Sequence, residues 1–175
     1  MTIRSDTAVL ELPRHAWQDH PRFPQQVLLL GAHKRFRLTS RSLVRRAESG
    51  GDPAAIGWVF DYWKSAMSSH ERYEEHKLYP YLEARWGLSC EPLRAGHHQL
   101  AALDAAVRAA AAGCDGPATP ALCTALRTHD AALHAHLDVE EERVVPALLA
   151  LQPDEFESYY HSNIRMLLSR LGQGE

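Results

Sequence analysis

The sequence predicts an all-α fold, an antiparallel up-down-up-down four-helix bundle with an additional C-terminal helix. Three observations carry that expectation. Apolar residues recur at i, i+3, i+4 and i+7, the period of one helix face, and no strand-like alternation competes with it. The segments showing this period are rich in Ala, Leu, Arg and Glu, which favour helix. Breaks carrying Gly and Pro at 48–53, 86–92, 112–117 and 151–154 leave only short connections, and short connections between long helices make neighbours antiparallel.

Residues 1–22 contain Pro13 and Pro21 and no sustained period, so they read as an N-terminal arm. The first helix is expected over 23–48, with Leu29, Leu30, Phe36, Leu43 and Val44 on its apolar stripe. The second, 53–85, places Val59, Trp63, Ala66, Met67, Leu78 and Tyr81 on one stripe. The third, 91–112, does the same with Leu93, Leu100, Leu103 and Val107, and the fourth, 118–150, with Leu126, Leu133, Val139, Val144 and Leu148. Residues 23–152 then form the bundle, and a fifth helix over 154–171 lies in a segment, 153–175, packed on it. A chain of 175 residues, 45% of them hydrophobic, supports one good core rather than two.

The net charge of −3 and a pI near 6.4 give no electrostatic reason to expect nucleic acid or an anionic membrane as partner. Small molecules or ions fit better. No basic segment followed by an apolar stretch opens the chain, and no apolar run approaches the roughly 18 residues of a membrane span, so a cytoplasmic location is expected. Cys90, Cys114 and Cys123 are an odd number without C-x-x-C spacing, which indicates neither a disulfide framework nor a zinc knuckle.

Eleven histidines are the anomaly. Two helices carry a repeated phrase, His70-Glu-Arg-Tyr-Glu74-Glu75 through Pro80 and His136-Leu-Asp-Val-Glu140-Glu141 through Pro146. Its skeleton is H-x-x-x-E-E-x-[KR]-x-x-P. Residues four apart share a helix face, so His70 with Glu74 and His136 with Glu140 each present an imidazole beside a carboxylate on an apolar stripe. One such pair is ordinary surface chemistry. Two of them facing the core are not, because a buried carboxylate costs several kcal/mol unless it is paired or binds a metal. His33 on the first helix and His97 on the third add an imidazole each. Four imidazoles converging with two carboxylates point to metal. His76, His98 and His134 fall off these stripes, and His15, His20 and His161 lie outside the bundle. Tyr73 and Tyr159 are candidates for lining an access path or for plain aromatic packing.

A lone His on the first helix, H-x-x-x-E on the second, His with an apolar residue three later on the third and H-x-x-x-E-E on the fourth resemble the hemerythrin-like, or HHE cation-binding, family. The resemblance covers roughly residues 25–150 and extends to Pro80 and Pro146. It implies an oxo- or hydroxo-bridged di-iron centre, bridged by the two carboxylates and capped by histidines, with His33, His70, Glu74, His97, His136 and Glu140 as ligands. The oxygen-carrying members have a second histidine one turn beyond the third-helix ligand, where this chain has Ala101. Glu71 completes a His-Glu-x-x-Glu phrase similar to iron-sensing members, in which the adjacent glutamate also contacts metal; its other reading is a solvent-facing residue. His129, two turns before His136, is either a ligand at the edge of the site or a hydrogen-bond partner of one. Glu141 can stand in for Glu140, since the family's spacing on the fourth helix is one residue longer.

Nitrogen and carboxylate donors without thiolate suit iron or manganese better than structural zinc, and the resemblance implies two iron ions, ahead of manganese or zinc. Six protein donors shared by two ions leave positions open for dioxygen, hydrogen peroxide or nitric oxide. Sensing, carriage and detoxification are all compatible with that chemistry. The alternatives are an iron-responsive, non-catalytic interaction module and a di-iron oxidase acting on a small organic substrate. Neither a Ser-His-Asp order nor a phosphate-cradling Gly loop supplies a rival site.

Overall fold

A computed structural model describes residues 10–159 and 161. Among them every regular element is helical. Two 3-10 turns, Arg14–Asp19 and Phe23–Gln26, precede α1 (Val27–Glu48). Then come α2 (Pro53–Tyr73), a π-helical turn (Glu74–Leu78), α3 (Tyr79–Trp86), α4 (Glu91–Ala112) and α5 (Pro120–Leu149). Residues 153–159 are helical as well. The rest of the helix expected over 154–171 lies outside the described residues, apart from His161.

The punctuation in the sequence acts as expected at most ends. Asp52 caps α2 by accepting from the Ala54 N–H at 3.0 Å, and Pro53 follows it at the first helical position, where its missing N–H costs nothing. Gly87 ends α3 at φ 67°, its N–H donating to the Glu83 carbonyl, a left-handed stop that glycine adopts without strain. The first helix starts at Val27 rather than 23, because residues 23–26 take the tighter 3-10 form common at helix N-termini.

The second expected helix is the one whose register departs from simple periodicity. Pro80 has no N–H to give to the carbonyl four residues earlier. In the turn before it the bonding widens to i→i+5, with the Tyr79 N–H donating to the Glu74 carbonyl. One extra residue per turn moves everything downstream round the axis. Tyr79 and Leu82 are therefore fully buried, and Tyr81, expected on the core stripe, is only half-buried.

The described residues fall into two compact units. Leu29–Glu141 forms one, and the flanking segments up to Leu28 and from Glu142 form the other, so that α5 is divided between them. The core of the larger unit is built around Phe36, Leu43, Phe60, Trp63, Met67, Leu100, Val107 and Leu133. Two residues placed on core stripes by periodicity are instead exposed, Ala66 and Val139 at 42%. The buried face of α5 there runs through Leu133, Leu137 and Glu140, which leaves Val139 on its flank. In the smaller unit, Trp17 is buried and donates to the Leu12 carbonyl at 2.9 Å, and the Arg22 guanidinium donates to that of Leu149 at 3.2 Å. No helix among the described residues is long and apolar enough to cross a membrane.

Candidate metal centre

Four helical segments of the larger unit each deliver at least one polar side chain to a single buried point. His33 comes from α1, His70 from α2, Glu74 from the first position of the π turn and Glu140 from α5. One donor atom from each lies within 4.8 Å of all the others. Metal–ligand bonds of about 2.1 Å put neighbouring donors about 3 Å apart and opposite donors about 4.2 Å apart, so these four are spaced to share an ion. Nε2 of His33 and Nε2 of His70 are 3.0 Å apart, and Oε1 of Glu74 is 2.7 Å from the latter.

His97 of α4 and His136 of α5 stand on the other side of the two carboxylates. Nε2 of His97 is 3.5 Å from Oε2 of Glu74, Nε2 of His136 is 3.8 Å from Oε2 of Glu140, and the two rings meet edge to face at 4.7 Å. All six residues anticipated as ligands are thus brought together, in two halves. Glu74 has one oxygen toward each half. Oε2 of Glu140 faces both, being also 3.6 Å from Nε2 of His33.

The surroundings orient the imidazoles. A carboxylate can only accept, so Nδ1 of His33 donates to Oε1 of Glu141 at 3.0 Å and Nδ1 of His97 donates to Oε1 of Glu75 at 2.8 Å. Each bond fixes the tautomer and leaves Nε2 facing the cluster, the arrangement that raises the basicity of a metal-binding histidine. Glu141 is held in turn by Arg37 at 2.6 Å, and Arg37 also donates to Asp138 at 2.8 Å. Glu141 therefore serves His33, and Glu140 points into the cluster.

A family model, the hemerythrin HHE cation binding domain, matches residues 27–148. The chain belongs to that family. No curated protein and no solved structure matches it.

The donor set of this HHE domain fits a cation. Both oxygens of Glu74, Oε2 of Glu140 and Nε2 of His97 are buried without a hydrogen-bond partner, although unsatisfied buried polar atoms are rare and costly. All four border the same small volume. Protons partly balance its charge. Burial alone would raise the Glu74 carboxyl, but His70, His33 and His97 hold it well below the usual range. Burial and the adjacent Glu74 push Glu140 up to about 8. His33, in spite of burial, is raised to about 9 by Glu141, Glu74 and Glu140, and His97, again against burial, reaches about 9 through Glu74 and Glu75. His136 is lowered to about 4 by burial and by the charge of His97.

Glu71 and His129 sit elsewhere in the HHE domain. Glu71 accepts from the Lys64 ammonium at 2.6 Å, Lys64 lies 3.3 Å from Oδ2 of Asp104, and Nε2 of His129 donates to Oδ1 of Asp104 at 3.0 Å. The His129 ring is wedged against Phe60 and Trp63. This is a separate ionic network one heptad from the cluster along α4 and α5, since Asp104 and His129 stand seven residues from His97 and His136.

Periodicity did not point to Tyr79, whose hydroxyl donates to Oε1 of Glu140 at 2.8 Å. Burial and the neighbouring Glu140 and Glu74 push its phenol pKa up. Pro80 was the available signal, since a proline within a helical pattern disturbs the register before it.

Gly96 supports the cluster from behind, because a methyl group there would run into Nδ1 of His136. Gly96→Ala is expected to keep the helix, alanine being the better helix former by about 1 kcal/mol, yet to displace the His136 ring and weaken ion binding roughly tenfold or more. Titration with Co(II) beside a circular dichroism spectrum checks both halves of that expectation; unchanged affinity would mean that the ring yields without effect.

Proposed function

We propose that this hemerythrin HHE domain holds two iron ions in a carboxylate-bridged centre that binds or reacts with dioxygen, peroxide or nitric oxide. In this reading α1, α2 with α3, α4 and α5 form an up-down-up-down bundle around the centre. The observation that carries it is the placing of His70 and His97 at the two different oxygens of Glu74, with His33 and His136 both at Oε2 of Glu140, when those three oxygens have no hydrogen-bond partner.

When bound, the iron pair would supply two adjacent redox-active, Lewis-acidic ions with open positions for a small ligand. The chain's own residues do the rest. Glu141 and Glu75 hold two imidazoles in the ligating tautomer, and Glu74 and Glu140 offset cationic charge in a site from which water is largely excluded. Access is one-sided. The His70 side chain is 19% exposed, whereas those of the other five are at most 6% exposed. A diatomic or peroxide therefore has its shortest way in beside His70, along the edge of Phe36, which meets that ring at 5.2 Å. Ala101 in place of a further histidine leaves the opposite half with His97 and His136 as its imidazoles.

The test is metal analysis of freshly purified protein together with its optical spectrum. About two irons per chain are expected, with near-ultraviolet charge-transfer bands that change on adding peroxide or nitric oxide. No stoichiometric metal, or one tightly held zinc, would overturn the reading.

A further inference from the structure

The two carboxylates at the centre are not equivalent. Neither oxygen of Glu74 has a hydrogen-bond donor; Oε1 faces Nε2 of His70 at 2.7 Å and Oε2 faces Nε2 of His97 at 3.5 Å. Glu140 has Oε1 taken by the Tyr79 hydroxyl at 2.8 Å. Only its Oε2 lacks a donor, and that one atom stands 3.6 Å from Nε2 of His33 and 3.8 Å from Nε2 of His136.

Tyr79 is well placed to enforce the difference. It follows the π turn, whose i→i+5 bond joins it to Glu74. That bonding brings residues five apart into register, so one local distortion serves both carboxylates. The tyrosine ring is fully buried and stacks on His97, with centroids 5.9 Å apart and planes 19° apart. The Arg94 guanidinium lies 5.7 Å from the ring centroid and is itself tied to Glu83 at 2.6 Å. A ring gripped in this way has little freedom to withdraw its hydroxyl.

We propose that Tyr79 is a positioning residue of the metal centre: by holding Oε1 of Glu140 it limits that carboxylate to one oxygen shared between the ions, whereas Glu74 offers a separate oxygen to each. The inference rests on the two-ion reading above. Its chemical consequence is an open position. With Oε1 of Glu140 withheld from both ions, the position it would take on one of them beside the shared oxygen stays free for an exogenous ligand.

The experiment compares the unaltered protein with Tyr79→Phe, which keeps the ring and its stacking and removes only the hydroxyl. Co(II) is the probe, because its visible bands lose intensity as coordination number rises. Two Co(II) per chain are expected in both proteins. In Tyr79→Phe, affinity measured against a competing chelator should fall about 10- to 100-fold, the usual effect of removing a partner that orients a ligand, and the band intensity should drop as Oε1 joins a metal. Equal affinity and equal spectra would overturn the proposal while leaving the two-ion centre standing. An unaltered protein that takes up no pair of ions would overturn both. A second measurement needs no variant: the infrared difference between Co(II)-loaded and metal-free protein should show one carboxylate with the wide stretch separation of single-oxygen ligation and one with the narrow separation of two-oxygen ligation. Two narrow separations would sink the proposal even if Tyr79→Phe failed to fold.

Discussion

Replacing Glu74 by alanine is expected to cost the protein both ions, whereas His136→Ala should cost it one. Glu74 is completely buried and is the one side chain with separate oxygens toward His70 and His97. Without it, five donors remain, and the sole remaining carboxylate has one oxygen engaged by Tyr79. Two divalent cations would then share a low-dielectric pocket with a single negative charge between them, an arrangement that repulsion at close range makes strongly unfavourable. Glu74→Gln separates charge from shape, since it keeps the volume and one acceptor but removes the negative charge. Metal content after exposure to excess Fe(II) or Co(II) and gel filtration should drop from a pair to none in both variants, with helicity retained. A Glu74→Ala protein that still carries two ions would show that the ions lie elsewhere.

Much of this was legible because the relevant distances along the chain are short. H-x-x-x-E on a helix fixes the relation of His70 to Glu74 and of His136 to Glu140 before any tertiary structure is known, and the apolar stripes around them show which way they face. Pro53 and Gly87 mark helix ends in the sequence as they do in the fold. What escaped the sequence depends on partners that come from other helices. The sequence left Glu141 as a stand-in for Glu140; only the approach of α1 reveals that its oxygen belongs to His33 and Arg37. The π turn escaped for a different reason: a single inserted residue leaves no compositional mark except Pro80, yet it exchanges Tyr81 for Tyr79 and Leu82 in the buried set. Lys64 and Asp104 were overlooked because charged residues on an apolar stripe read as its edge. Their spacing from Glu71 and from His97 was the clue.

That overlooked network should matter most for stability. Asp104, Lys64 and His129 expose 5%, 7% and 1% of their side chains. Asp104 touches both of the others, so Asp104→Ala leaves His129 without its acceptor and takes from Lys64 one of its two carboxylate partners among the described residues. Breaking a buried ionic contact from one side costs about 3–5 kcal/mol, a large share of the roughly 5–15 kcal/mol that holds a domain folded. In a chain of this size the melting temperature should fall by roughly 10 °C. The dependence on pH tests the cause. Against burial, the His129 hydrogen bond and the Lys64 charge hold the Asp104 carboxyl below its ordinary value, so its contribution is present above the unfolded carboxyl pKa of about 3.9 and is lost as pH falls through the lower native value. Urea unfolding of the unaltered and Asp104→Ala proteins should accordingly show a gap that is full at neutral pH and closes in acid. A gap that persists unchanged to the lowest measurable pH would mean that lost packing, not lost charge pairing, weakens the variant. Ion content is the complementary readout: Asp104 and His129 lie outside the six converging donors, so the variant should bind its ions undiminished wherever it is folded.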